Sequence, residues 1–446
     1  MTSMIIRGVQ PYGEAAQDVE ISDGVIARIS PAGSPTGSPA SAAASQKVFD
    51  VELDAAGCVL LPGLVDLHTH LREPGREDSE TIATGSRAAA KGGFTCVHAM
   101  ANTAPVADTA GVVEQVWRRG VDADLVDVRP VGAVTVGLQG AQLAELGAMA
   151  SSAAQVRVFS DDGLCVHDPL LMRRALEYVK AFDGVVAQHA QDPRLTEGAQ
   201  MNEGELSGRL GLAGWPAVAE EAIIARDVLL AEHVDSRLHV CHVSTAGSVE
   251  VVRWAKARGI RVTAEATPHH LLLTEELVAS FDPIYKVNPP LRREEDVMAL
   301  REAVIDGTID IIATDHAPHP REDKDCEWAA AAMGMIGLET ALPIAAQVFI
   351  ESGRMDWRQL CERMSVTPAR IGRVADQGAV IEVGAPANLV VWDPAQTTVV
   401  TPAMFESKSA NSPYLDRTFA GAVRHVVFRG RPTVVDGQVV SGEVAS

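Results

Sequence analysis

The chain has 446 residues, 47% of them hydrophobic and 22% charged, an ordinary balance for a soluble globular enzyme. Its 59 acidic against 38 basic residues leave a formal charge of -21, which disfavours nucleic acid phosphates and anionic membranes as partners. The six cysteines form no CxxC pair, the first residues lack a signal-peptide h-region, and no run of about 18 apolar residues occurs, so free thiols in a cytoplasmic protein are expected.

Residues 4–62 read as short strands, with a tight turn at Ser22-Asp23-Gly24. The stretch 33–45 is rich in Gly, Ser, Pro and Ala, cannot build a core, and reads as a mobile surface loop. From residue 64 the pattern changes. Short apolar runs at 64–68, 94–98, 125–131, 156–160, 185–189, 238–242, 260–265 and 309–315 alternate with amphipathic segments such as 80–91, 169–182, 217–232, 248–258 and 294–306. Eight such units predict an α/β fold, a (β/α)8 TIM barrel, over 63–377. Segments 340–352 and 357–364 look helical, and Thr367-Pro368 reads as the N-cap and first position of another helix. Beyond 378 strands return, with a last hairpin turn at Asp436-Gly437. Segments 1–62 and 378–446 are therefore expected to pair in a composite small β-domain, a β-sandwich beside the barrel.

Most barrel strands end in His, Asp or Glu, and barrel active sites gather at that end. In Val65-Asp66-Leu67-His68-Thr69-His70-Leu71-Arg72 the two histidines share a strand face, an arrangement that suits a divalent metal. Exposed histidines would give the same pattern, so further ligands must decide. The fourth strand supplies Asp161 and Asp162, between which strand parity does not choose; the fifth supplies His189, the sixth His242 and the eighth Asp315. Four histidines and two carboxylates at one barrel mouth suggest a binuclear centre, zinc by donor type. His239 has the opposite parity to His242 and is expected to face the helices, while Asp66 is expected to hydrogen-bond rather than bind metal. A role behind the ligands is weighed for His98 and for one of His269-His270, a structural hydrogen bond for His316, and ordinary roles for His167, His233 and His425.

With Ser160-Asp161-Asp162-Gly163, His242-Val243-Ser244-Thr245, Lys286-Val287-Asn288-Pro289-Pro290-Leu291-Arg292 and Ala313-Thr314-Asp315-His316-Ala317-Pro318-His319 added, the whole chain resembles the class I dihydroorotases of the amidohydrolase superfamily. The resemblance implies two Zn2+ ions, with His68, His70 and Asp315 on one, His189 and His242 on the other, and Asp162 bridging in place of the superfamily's carboxylated lysine. It implies a substrate carboxylate held by Arg72, contacts from His70, Asn102, Asn288 and His319, and backbone at Met333-Gly334 closing over a pyrimidine ring. The implied reaction is the reversible cyclisation of N-carbamoyl-L-aspartate to (S)-dihydroorotate and water in pyrimidine (UMP) biosynthesis, by a metal-bound hydroxide with Asp315 as proton shuttle. A homodimer and association with aspartate carbamoyltransferase are the implied partners.

Two positions depart from the family pattern. Ala101 stands where Pro is common, and Ala332-Met333 stands where Pro-Phe is common; both bear on loop rigidity. The rival readings are a hydantoinase or allantoinase, which typically use the lysine, and a non-catalytic scaffold for aspartate carbamoyltransferase, which would have lost ligands that this chain keeps.

Overall fold

The computed structural model describes residues 3–34 and 48–440; beyond Ser34, the small-residue stretch expected as a loop lies outside the described residues until Val48. Strands β1 (Ser3–Pro11), β2 (Gln17–Ser22), β3 (Val25–Pro31), β4 (Val51–Asp54) and β5 (Val59–Pro62) open the chain. Asp23 and Gly24 join β2 to β3 with φ of 54° and 79°, the two left-handed positions that a tight hairpin requires. Strand β1 changes partners along its length. Its first half lies between antiparallel β2 and parallel β4, and Gln10 and Pro11 then pair with β5. Gly8, at φ 66°, marks the change, where a β-carbon would lie 3.3 Å from the Ala56 backbone.

Strand β5 runs through Gly63 into β6 (Leu64–Thr69) without a linker. Six more strands succeed β6 in a ring: β7 (Phe94–Ala99), β8 (Asp127–Pro130), β9 (Val158–Phe159), β10 (Val185–Gln188), then, after a short pair β11 (Met201–Asn202) and β12 (Gly214–Trp215), β13 (Leu238–Val240) and β14 (Val262–Ala266). The eighth ring strand is β15 (Ile311–Ile312). Neighbours are parallel throughout, and the bridges Gly132–Phe159 and Thr69–His316 join the two halves, so the succession returns to its start. Apolar side chains from β6, β9, β10 and β15 pack with Met100, Val131, Cys241 and Ile371 in one buried cluster. That cluster fills the ring beneath the strand ends.

The helices between ring strands follow their apolar stripes. Helix Ile82–Lys91 starts at Thr81, whose hydroxyl accepts from the Thr84 amide while the Thr84 hydroxyl accepts from the Thr81 amide. Its alanines at 88–90 are buried against the ring. One local expectation fails. Thr367 is itself helical, capped by Val366, because the helix at 357–361 continues through a π turn, Glu362–Val366, into Thr367–Gly372. Pro368 is tolerated because it lies in the first turn after the π turn, where the helix asks for no amide donor from it.

The chain closes with β16 (Leu389–Val399), β17 (Thr418–Phe428), β18 (Arg431–Val435) and β19 (Gln438–Val439). Strand β16 pairs antiparallel with β5, so both ends of the chain share one nine-stranded sheet among the described residues. Met4, Ile6, Val19, Ile21, Leu60, Leu389, Val391 and Val427 form a core of their own within that sheet. No described helix is long and apolar enough to cross a membrane.

Candidate active site

Six ligand-type side chains meet where the ring strands end, each no more than 6% exposed: His68, His70, Asp162, His189, His242 and Asp315. Asp162 stands at their centre. One of its oxygens lies 3.3 Å from His68 Nε2, His189 Nδ1 and His242 Nε2, and the other 3.3 Å from His70 Nε2. Asp315 Oδ1 lies 3.0 Å from His70 Nε2 and 3.4 Å from His68 Nε2. Of three trios of possible ligand atoms among the described residues, His68–His70–Asp162 and Asp162–His189–His242 share the aspartate, and the third, His68–Cys241–Glu265, lies behind His68. Asp161 is otherwise engaged: it accepts from the Val134 and Thr135 amides and from the Thr135 hydroxyl.

The donor set fits a pair of divalent cations. His68 Nε2 is fully buried, faces both carboxylates, and makes no hydrogen bond. Separations of 3.3 Å around Asp162 match the edge of a tetrahedron built on Zn–N bonds of about 2.0 Å. Three imidazoles have their far nitrogen held by an oxygen: His68 Nδ1 donates to Glu265 (2.6 Å), His70 Nδ1 to Asn102 (2.9 Å) and His189 Nε2 to Gln191 (2.7 Å). Each such bond fixes a tautomer whose remaining lone pair faces the centre. Burial opposes charge on His68, yet Asp162, Asp315 and Glu265 outweigh it and hold its pKa well above the ordinary value. The site is a sink for positive charge.

The comparisons with known proteins agree. A family model described as dihydro-orotase-like matches residues 57–248. Dihydroorotase from Streptomyces coelicolor is 64% identical over 98% of this chain and 100% of its own. The Mycobacterium tuberculosis dihydroorotase is 55% identical over 98% and 99%. The chain belongs to the dihydroorotase family. Among solved structures, the L-hydantoinase from Arthrobacter aurescens superposes with a TM-score of 0.84 at 25% identity, covering 99% of this chain and 98% of its own. A dihydropyrimidinase from Brevibacillus agri gives 0.82 at 22%, over 98% and 96%, and shows the shared fold.

In this member of the dihydroorotase family the residues expected around a substrate lie on one side of the cluster. Arg72, at φ 61°, is buried; its Nε donates to the Pro318 carbonyl (3.1 Å), and its Nη2 lies 3.4 Å from His319 Nε2. Burial, then neighbouring Arg76, lower its pKa to about 10, which still leaves a cation at neutral pH. His319 Nε2 donates to the Met333 carbonyl (3.0 Å), and burial with the Arg72 charge pushes its pKa down to about 3, so the ring is neutral. Gly334, at φ 143°, packs on that ring; a β-carbon there would lie 2.8 Å from His319 Nε2. Asn288 donates to Gln191 Oε1 (3.2 Å) and its own Oδ1 is buried without a partner. A cavity of about 740 Å3 adjoins this side along His319, Lys324 and Asn411.

Behind the six clustered side chains, Glu265 is a residue that the sequence did not single out. Glu265 bonds His68, accepts from the His242 amide (3.1 Å) and pairs with His239 Nε2 (2.9 Å). His239 was expected to face the helices and does not. His242 sits at φ 29°, which breaks the strand alternation on which that parity argument rested. A lone glutamate in the apolar run of β14 was the available signal. Asp66 accepts from the His68 and Thr314 amides, as expected. His98 donates to the Asp66 carbonyl (2.9 Å), and His316 pairs with Glu80 (3.4 Å) and accepts from the Gly337 amide. His270 bonds Thr267 (2.8 Å) and the Pro289 carbonyl (3.1 Å), whereas His269 Nε2 is buried without a partner within the field of Asp315.

Proposed function

We propose that this chain is a dihydroorotase of the class I type, which interconverts N-carbamoyl-L-aspartate and (S)-dihydroorotate in de novo pyrimidine biosynthesis. The observation that carries the reading is the single aspartate, Asp162, shared by two histidine pairs with Arg72 close by. An aspartate in the bridging place, where hydantoinases typically use a carboxylated lysine, supports the class. His68, His70 and Asp315 would hold one zinc ion and His189 and His242 the other, with Asp162 serving both. When bound, such a pair supplies Lewis acidity to the ring carbonyl and a water whose pKa falls to roughly 7.

The chain's own residues do the rest. Arg72 receives the substrate carboxylate, with guanidinium geometry suited to two parallel hydrogen bonds. Asn102, Asn288, His319 and the Met333–Gly334 backbone meet the ring amides and turn the carbonyl toward the histidine cluster. Asp315 moves the proton. The positive field of His68 and the His70 hydrogen bond hold its carboxyl low against the opposing effect of burial, so it is a base when hydrolysis begins. It takes the proton of the attacking water at a carboxylate oxygen and delivers it to the leaving ring nitrogen. Ring closure reverses these transfers and consumes one proton, so acid favours the ring and base the open form.

The ring of strands is, in the same reading, a (β/α)8 barrel over 63–377, with a sandwich domain from 1–62 and 378–446. A homodimer, association with aspartate carbamoyltransferase and a cytoplasmic location belong to it too. Dihydroorotate, hydantoin and allantoin assayed separately, with zinc measured on the same sample, test the reading. Turnover of dihydroorotate is expected, and turnover of the other two alone would overturn it.

A further inference from the structure

Lys324 is buried, and among the described residues no carboxylate lies within ion-pair distance of its ammonium. An ammonium carries three N–H donors, and here three backbone carbonyls accept them: Lys286 (3.1 Å), Ala332 (2.9 Å) and Gly334 (3.1 Å). Those carbonyls come from two segments far apart in sequence. The first leads into Asn288, and the second carries Met333 and Gly334. The Gly334 amide also donates to the Lys286 carbonyl (3.0 Å), so the segments meet directly beside the ammonium. On the far side Lys286 reaches back, its own ammonium donating to the Trp328 (2.7 Å) and Ala329 (3.2 Å) carbonyls. Gly334 meanwhile presses against His319, whose Nε2 would lie 2.8 Å from a β-carbon at that position.

We propose that Lys324 is a positioning residue, whose ammonium clamps the segments carrying Asn288 and Met333–Gly334 against His319 in the arrangement that receives the cyclic substrate. The inference rests on the dihydroorotase reading and deepens it. Without the clamp, the Ala332 carbonyl loses its donor, the Lys286 and Gly334 carbonyls keep only the Gly334 amide and Asn411 Nδ2, and the two segments lose their common anchor. The ammonium also adds, without a compensating carboxylate, to the positive field of Arg72 in which an anionic substrate would sit.

The clamp has a pH dependence built in. Burial, then the Lys286 charge, pull the Lys324 pKa down to about 7, while Asp282 and Cys326 act weakly in the other direction. His319, whose pKa the Lys324 charge helps to lower, is neutral in this range, and Asp323 and Asp325, which flank Lys324 in the chain, make no ion pair with its ammonium. Above that pKa an amine with two N–H bonds faces three carbonyls, and one of the three bonds of the clamp is lost.

Lys324→Met and Lys324→Arg test this in the metal-loaded enzyme. For Lys324→Met the KM for dihydroorotate should rise roughly tenfold, with kcat within about threefold and zinc content unchanged. Lys324→Arg should recover part of the loss. Amide hydrogen exchange at 332–334 should quicken in Lys324→Met. In the wild-type protein, protection there should fall and KM rise as pH passes above about 7, a dependence that Lys324→Met should lack. The wild-type profile stands as a test even if the variant fails to fold. Unchanged exchange and a KM within about twofold of wild type would overturn the clamp. Failure of the underlying reading looks different: zinc-loaded wild-type protein would not turn over dihydroorotate, and the exchange measurement would still judge the clamp.

Discussion

At the scale of single residues, the proposed reading gives Asp315 two tasks, holding a cation and moving a proton. Asp315→Asn keeps an oxygen that can ligate but removes the proton acceptor. It should retain zinc within about tenfold of wild-type affinity while losing at least about a hundredfold in kcat, since general base catalysis contributes on the order of that factor. Parallel zinc titration and kinetics check this, and equal loss of both would refute it. Glu265 never reaches the centre, yet it holds His68 Nδ1 at 2.6 Å and so decides which nitrogen faces Asp162. Glu265→Gln should weaken metal binding by roughly 10–100-fold, the usual cost of losing such a partner. A chelator competition titration reads it, and wild-type affinity would show that His68 needs no such support. The six clustered side chains were legible in the sequence because each lies at or just beyond the end of a predicted strand. Glu265 was not, because its partner His68 is 197 residues away.

At the scale of elements, the pairing of β16 with β17 shows how a local irregularity makes room for a buried side chain. Thr397 stands opposite both Ala420 and Gly421, so β17 carries a bulge there. Gly421, at φ 78°, leaves space that the indole of buried Trp392 fills; a β-carbon would lie 2.0 Å from its Cζ2. Gly421→Ala should therefore cost about 1–3 kcal/mol by overpacking. The melting temperature should fall by several degrees with zinc content unchanged, and an unaltered melting curve would contradict the argument. Strand β16 pairs with β5, and β5 leads through Gly63 into β6, the strand that carries His68. Hairpins at Asp23-Gly24 and Asp436-Gly437 were readable from their turn residues. The continuous helix through Thr367 was not, because Thr-Pro is a good helix start wherever it falls, and only the preceding π turn makes it an interior step.

At the scale of the molecule, the late segment 404–408 is fastened to the ring side of the chain by a buried carboxyl and a half-buried ion pair. Glu339 accepts from the Glu406 amide (2.9 Å), and Arg87 pairs with Glu406 (2.7 Å). Burial raises the Glu339 pKa from an ordinary 4.5 to about 8, against the opposing Glu406 amide and the Lys91 charge. The native state thus keeps a proton that the unfolded chain releases, and stability falls as pH rises between those values. The urea midpoint of wild type should drop relative to Glu339→Gln across that window, whereas parallel curves would show that Glu339 titrates normally. What the sequence by itself determined was the alternation of strands and helices and the residue types that end each strand, because periodicity and chemistry are local properties. It determined the family for the same reason, through short motifs. The family motif already preferred Asp162 to Asp161, but only the tertiary structure gave a physical reason, since Thr135 and two amides claim the first and four histidines surround the second. It alone turned His239 inward and gave Lys324 its three carbonyls, because those partners become neighbours only when the ring closes.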